Sequence, residues 1–135
     1  MTPAEQVMHI FNDSALKGYD GDIGQWLMIE DVPVPDDSSG FDLLFRVEYR
    51  SDYLGQNARA WLLSNPVRPV HDFDYHRTHL RSDGFICVGH GLSEEASPYD
   101  LIYVIPRVRL WCGGYTVHQR QGYDAACRLV PGWGG

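Results

Sequence analysis

Residues 41–50 constrain the fold more than any other stretch of this 135-residue chain. Apolar and polar side chains alternate here, and Leu44 is the only apolar residue in the polar register. The other apolar positions are Phe41, Leu43, Phe45, Val47 and Tyr49. A period of two predicts a β-strand with one buried face and one face in water. Strand-like runs at residues 25–30 and 58–63 lie on either side, so the sequence predicts an antiparallel meander.

A helix is predicted before the meander. Thr2-Pro3-Ala4-Glu5 has the pattern of a capping box, in which Thr2 caps, proline takes the first helical position and Glu5 reaches back. Five apolar residues then recur at helical spacing: Val7, Met8, Phe11, Ala15 and Leu16. Gly18 is predicted to end this helix.

A second helix is predicted after the meander, where Ser97-Pro98 has the pattern of a cap followed by a first helical position. Its buried face would comprise Leu101, Ile105, Val108 and Trp111 or Cys112. Pro106 lies inside this pattern, and an interior proline costs about 3 kcal/mol, so either the helix kinks or residues 101–105 form a buried strand. Gly113-Gly114 is predicted to end the element, and residues 123–130 are predicted to form a short last helix.

Composition narrows the class of protein. The length predicts one α+β domain, residues 1–135. The net charge of −7 argues against a nucleic-acid partner. No apolar run is long enough to span a membrane, and the first residues lack the pattern of a signal peptide. Three widely spaced cysteines do not suggest disulfides, so we expect a reduced, cytoplasmic protein.

Residues 71–90 form the candidate functional segment, because this polar stretch holds four of the six histidines and one cysteine. The cysteine, Cys87, follows a predicted turn at Asp83-Gly84. A lone cysteine is usually a buried packing residue, and we assign Cys112 and Cys127 that role. Cys87 differs because His79, Asp83 and His90 lie close in sequence, and a neighbouring imidazole promotes formation of a reactive thiolate. We expect Cys87 near the surface in a shallow groove, with His79 within reach.

A zinc site is the alternative interpretation of the same segment. His76, His79, Cys87 and His90 form two pairs, each separated by two residues, with nitrogen and sulfur ligands suited to tetrahedral zinc. The spacing is not that of a zinc finger, and one cysteine is unusual for a structural site. A hydrogen-bonded polar loop that happens to be rich in histidine explains the residues equally simply.

The chain resembles ubiquitin-conjugating enzymes in this segment. Gly84-Phe85-Ile86-Cys87-Val88 is similar to the Gly-x-Ile-Cys-Leu segment around the family's active-site cysteine. Trp61-Leu62-Leu63 with Pro66 resembles the family's third strand and the proline after it. The order of helix, meander, irregular segment, cysteine and capped helix is also similar. Short bacterial relatives from antiphage ubiquitin-like conjugation operons often end in a Trp-and-Gly tail similar to residues 131–135.

The resemblance implies a ubiquitin-conjugating-enzyme-like fold: an N-terminal helix, an antiparallel three- to four-stranded meander, an active-site loop and C-terminal helices. It implies an acyl-transfer enzyme, in which Cys87 takes a ubiquitin-like modifier from an activating enzyme as a thioester and passes it to a protein target. No cofactor is required for this step. A catalytically inactive adaptor of the same fold is the alternative.

The candidate catalytic residues are Cys87 and His79, which the resemblance assigns, and Asp83, which is included because it lies close to Cys87 in sequence. His79 stands eight residues before the cysteine, where the family has asparagine, and the His-Pro-Asn motif is absent. His79 would either donate a hydrogen bond to the oxyanion or act as a base. Trp133 is predicted to pack onto the domain, and the Gly134-Gly135 ending, which mature modifiers share, is then incidental.

Overall fold

The computed structural model describes residues 16–20, 25–52, 55–67, 75–89 and 99–133. Its elements are β1 (Leu16–Asp20), β2 (Gln25–Val34), β3 (Leu43–Asp52), β4 (Arg59–Ser64), α1 (Tyr75–Thr78), α2 (Leu101–Gln121) and α3 (Tyr123–Leu129). The predicted α+β architecture is confirmed at this level. The predicted N-terminal helix at residues 2–15 and the Ser97-Pro98 cap lie outside the described residues.

The four strands form one antiparallel meander in the order β1-β2-β3-β4. The alternation in β3 behaves as predicted: Phe45, Val47 and Tyr49 are fully buried, and Leu44 is 53% exposed. The alternating sequence pattern begins at Phe41, two residues before β3 begins to pair with β2. Phe41 therefore lies outside the strand, and it is 80% exposed.

Two predicted boundaries in the first half are wrong. Leu16 and Gly18 belong to strand β1, where the sequence predicted the end of a helix. The register shifts between these two residues, and glycine commonly marks such a bulge inside a strand. Pairing with β2 outweighs the local preference of so short a segment. Strand β2 continues to Val34, beyond the predicted end at Glu30.

Helix α2 packs its apolar side against the sheet. The predicted side chains are all buried: Leu101, Ile105, Val108, Trp111 and Cys112. Pro106 lies within the helix and on its exposed side, so the strand alternative for residues 101–105 is wrong. The carbonyl that Pro106 cannot bond belongs to Ile102, which is also exposed, and water can therefore satisfy it.

The predicted helix end at Gly113-Gly114 is wrong, because α2 continues to Gln121. Gly114 is required for a different reason. A Cβ atom at this position would lie 2.7 Å from the indole ring of Trp133, so the missing side chain lets Trp133 pack directly on the helix. Trp133 is 3% exposed, which confirms the predicted anchoring of the tail.

A buried polar cluster joins α2 to the sheet. Arg109 donates from Nε to Glu30 Oε1 at 2.6 Å, and the Tyr49 hydroxyl donates to Glu30 Oε2 at 2.9 Å. Glu30 is 1% exposed, and both of its carboxylate oxygens are satisfied, as a buried charge requires. Among the helices in the described part of the chain, none is long and apolar enough to cross a membrane.

Candidate active site

Cys87 is delivered by a hairpin, residues 79–87, that docks on the edge of β4. The Leu62 N–H donates to the Gly84 carbonyl at 2.7 Å, and the Ile86 N–H donates to the Ala60 carbonyl at 3.0 Å. Gly84 has a φ of +95°, and a Cβ atom there would lie 2.7 Å from the Leu62 carbonyl oxygen. Both conditions favour glycine, so the predicted Asp83-Gly84 turn fixes the hairpin against the sheet.

Asp83 holds the turn of this hairpin. Its carboxylate accepts hydrogen bonds from Arg81 Nε at 2.7 Å and from the Phe85 N–H at 3.2 Å. The Arg81 hydrogen bond, offset in part by burial, lowers the pKa of Asp83 to about 2. Within the described residues, none of the hydrogen bonds that lower the thiol pKa comes from Asp83. Asp83 was predicted as a catalytic residue, and its observed contacts give it a part in shaping the hairpin.

His79 and Cys87 face each other across the two ends of the hairpin. The Cys87 N–H donates to the His79 carbonyl at 2.9 Å, and the half-buried thiol donates to the Gly89 carbonyl, with 3.6 Å between sulfur and oxygen. Hydrogen bonding to the side chain of His79 lowers the pKa of Cys87 below the ordinary 9.0, against the opposing effect of burial. It also raises the pKa of His79. The two opposite shifts bring the pKa of the thiol and the pKa of the imidazole closer together, and the expected proximity of His79 and Cys87 is confirmed.

The imidazole is held in place by the C-terminal residues. His79 Nε2 lies 2.6 Å from the carbonyl oxygen of Trp133. A carbonyl oxygen only accepts, so Nε2 carries a hydrogen, and Nδ1 is the basic nitrogen of the neutral ring. His79 has a φ of +59°, a left-handed conformation in which histidine, asparagine and aspartate are enriched among non-glycine residues.

Tyr75 is a site residue that the sequence analysis missed. Hydrogen bonding to its hydroxyl helps to lower the pKa of the Cys87 thiol. Burial and the neighbouring thiol raise the pKa of the Tyr75 phenol, which keeps it protonated as a donor. The His79 N–H donates to the Tyr75 carbonyl at 2.8 Å, so one helical turn sets both side chains toward the sulfur. Their spacing of four residues was the available signal, but no helix was predicted here.

A groove of about 630 Å³ runs past the thiol. Cys87 and His79 line it together with the first half of α2 and residues 130–133. Its aromatic wall includes Tyr103, which stacks on Tyr99 at a centroid distance of 4.1 Å. The guanidinium of Arg107 lies 3.5 Å from the Tyr103 ring centroid. The sulfur therefore lies in a groove rather than in the core, as expected.

The other cysteines and the predicted zinc ligands are placed differently. Cys112 is fully buried, and burial raises its pKa, so it stays a thiol. Cys127 is half-buried on α3. His76 is exposed, and His90 lies outside the described residues. Among the residues that the structure describes, no three His, Cys, Asp or Glu side chains are grouped so that they could hold a metal ion.

Comparisons with known proteins do not identify a family for this chain. No protein-family model matches the sequence, and neither the curated proteins nor the solved structures include a significant match.

Proposed function

We propose that this chain is a conjugating enzyme for a ubiquitin-like protein, which it carries as a thioester on Cys87 and transfers to a protein target in a bacterial antiphage system. The observation that supports this most is that Cys87 and His79 are neighbours across the hairpin and line the same groove, where the imidazole lowers the pKa of the thiol. An enzyme that accepts an acyl group needs an accessible thiolate, and an adjacent imidazole supplies it.

The order of elements supports the proposal as well. A four-stranded antiparallel meander is followed by the cysteine hairpin, and helix α2 then crosses the sheet. This is the order implied by the resemblance to ubiquitin-conjugating enzymes. Because one fold hosts many functions, the assignment depends on the site and only secondarily on this order.

In the first step, the Cys87 thiolate attacks the carbonyl carbon of the modifier's C-terminal thioester on the activating enzyme. The tetrahedral oxyanion collapses with loss of the activating enzyme's thiolate, so one C–S bond forms, one breaks, and no oxidation occurs. We assign the Tyr75 hydroxyl, which lowers the pKa of the thiol, the role of hydrogen-bond donor to this oxyanion.

In the second step, a target amine attacks the Cys87 thioester. Acylation has removed the negative charge beside His79, so the pKa of His79 falls, any imidazolium gives its proton to solvent, and the neutral ring is available as a base. His79 takes the amine proton as the C–N bond forms, and the C–S bond breaks to return the Cys87 thiolate. This assigns His79 the role of base, one of the two that its sequence position allowed.

The test is co-expression of the chain with candidate activating enzymes and ubiquitin-like proteins encoded by adjoining genes. Wild type should form an adduct that reductant cleaves, and Cys87→Ser should form a reductant-resistant oxyester. The matched controls Cys112→Ser and Cys127→Ser should keep the cleavable adduct. A cleavable adduct that persists in Cys87→Ser contradicts the proposal. Adjoining genes that encode neither protein also contradict it.

A further inference from the structure

The C-terminal turn, residues 130–133, is built against the candidate site. The Val130 N–H donates to the Ala126 carbonyl at 2.9 Å, and the Trp133 N–H donates to the Val130 carbonyl at 3.1 Å, so the turn continues directly from α3. The Trp133 indole is buried between two histidine rings. It lies edge-on to His79 at 5.1 Å and to His118 at 5.9 Å between ring centroids.

Helix α2 determines where this turn can lie. The indole packs on Gly114, where a Cβ atom would lie 2.7 Å from its ring and 3.3 Å from a methyl group of Val130. Gly113 directly precedes Gly114 in the same helix, and a Cβ atom added there would have no atom within 4 Å. The close approach of the indole to Gly114 thus helps to set the position of Trp133 against the helix.

We propose that the C-terminal turn is a positioning element of the site, which holds His79 through the Trp133 carbonyl so that Nδ1 is the nitrogen that takes a proton. The proposal rests on the proposed role of Cys87 as nucleophile. Trp133 does not touch the reacting atoms; it acts by fixing the tautomer and the ring orientation of His79. Orienting partners of this kind are what make an imidazole an effective base.

The backbone and the side chain of His79 are both held by their surroundings. A non-glycine residue with a φ of +59° is held by its surroundings, and the imidazole here has a hydrogen-bond partner on each side, Cys87 and Trp133. Without the carbonyl, the neutral ring would be free to place its hydrogen on Nδ1, and it could then no longer accept the thiol proton.

Other ionisable groups near the pair are the phenol of Tyr75 on α1, Arg81 and Asp83 in the hairpin, and Arg107 and His118 on α2. Arg107 lines the groove, and His118 contacts the far edge of the indole. A change confined to Gly114 alters none of these charges. A shift in thiol ionisation caused by that change therefore reports on the turn.

The test compares Gly114→Ala with the matched variant Gly113→Ala. The rate of Cys87 alkylation by iodoacetamide is measured from pH 5 to 10 by peptide-resolved mass spectrometry. Gly114→Ala should move the midpoint up by about one pH unit and slow alkylation at pH 7 about tenfold, and Gly113→Ala should match wild type. The double variant Gly114→Ala/Trp133→Phe, with a smaller ring, should recover at least half of the lost rate. Equal profiles for Gly114→Ala and Gly113→Ala overturn the proposal.

A second measurement does not depend on whether Gly114→Ala folds. In Cys87→Ala at pH 8, nitrogen-15 NMR of the His79 ring should show the Nε2–H tautomer alone. The Nδ1–H tautomer, or a mixture of the two, overturns the proposal. Failure of the proposed function and failure of the positioning role give different results. A wild-type midpoint near 9 contradicts the role of Cys87 as nucleophile. A wild-type midpoint below 9 that Gly114→Ala leaves unchanged contradicts only the positioning role of the turn.

Discussion

Replacing Gly84 by alanine should destabilise the protein more than the same change at Gly40. Both glycines have positive φ, +95° and +78°, so alanine costs about 1–2 kcal/mol at either position. At Gly40 nothing lies within 4 Å of the added Cβ atom. At Gly84 the new atom meets the Leu62 carbonyl oxygen at 2.7 Å, and a backbone oxygen cannot rotate away.

The hairpin must therefore move away from β4. That movement weakens the bond from Leu62 N–H to the Gly84 carbonyl and the bond from Ile86 N–H to the Ala60 carbonyl. At about 1 kcal/mol each, their loss brings the expected cost of Gly84→Ala to about 3–4 kcal/mol, against about 1–2 kcal/mol for Gly40→Ala. The effect of alanine on the unfolded chain is common to both variants and cancels in the comparison.

Equilibrium urea unfolding, followed by tryptophan fluorescence, measures both free energies. The difference between the two variants should be about 2 kcal/mol. Equal destabilisation would refute the reasoning, because it would mean that the hairpin makes no close contact with β4 at Gly84.

Three further predictions concern the thiol, the buried carboxylate and the metal alternative. Tyr75→Phe should slow iodoacetamide alkylation of Cys87 at pH 7 about tenfold, since a hydrogen bond to a charged group is worth about 1.5–3 kcal/mol; an unchanged rate would contradict that hydrogen bond. Glu30→Gln should cost less than about 1 kcal/mol in urea at pH 7, because burial raises the pKa of Glu30 and its ionised form therefore gains no net stability over a neutral side chain from Arg109 and Tyr49. Burial raises the pKa of Glu30 above 4.5, so Glu30 keeps its proton to a higher pH in the folded state than in the unfolded state. The stability of wild type relative to Glu30→Gln should therefore fall as the pH rises from 4.5 to the folded-state pKa. A rise in relative stability over that range would contradict the raised pKa. The purified protein should carry no stoichiometric zinc by elemental mass spectrometry; about one zinc per chain, lost together with folding in His76→Ala, would favour the metal site.

The sequence was most informative where structure depends on neighbours in the chain. The alternation through Phe45, Val47 and Tyr49 predicted β3 and its buried face, and the spacing of Leu101 and Ile105 predicted the buried side of α2. The spacing of apolar residues within a strand or helix indicates which of its sides faces the core, and this spacing can be read from the sequence alone.

The wrong predictions concern residues whose structure is determined by contacts with residues far away in the sequence. Gly114 was interpreted as a helix end, but it is required by Trp133, nineteen residues later. Gly18 was interpreted as a helix stop, but pairing with β2 makes it part of a strand. Tyr75 was missed because its role depends on one helical turn that brings it to the same sulfur as His79. Propensity cannot supply such contacts, since tertiary context overrides it.

The central claim is that His79 ionises Cys87. Thiolate absorbance at 240 nm, taken as wild type minus Cys87→Ser across pH 5 to 10, measures this ionisation directly. His79→Asn is the matched variant, because asparagine tolerates the φ of +59° and keeps a donor but cannot hold a positive charge. The midpoint of the wild-type signal should lie below pH 9, and in His79→Asn it should return toward 9. Coincident titrations near 9 in both proteins would contradict the account.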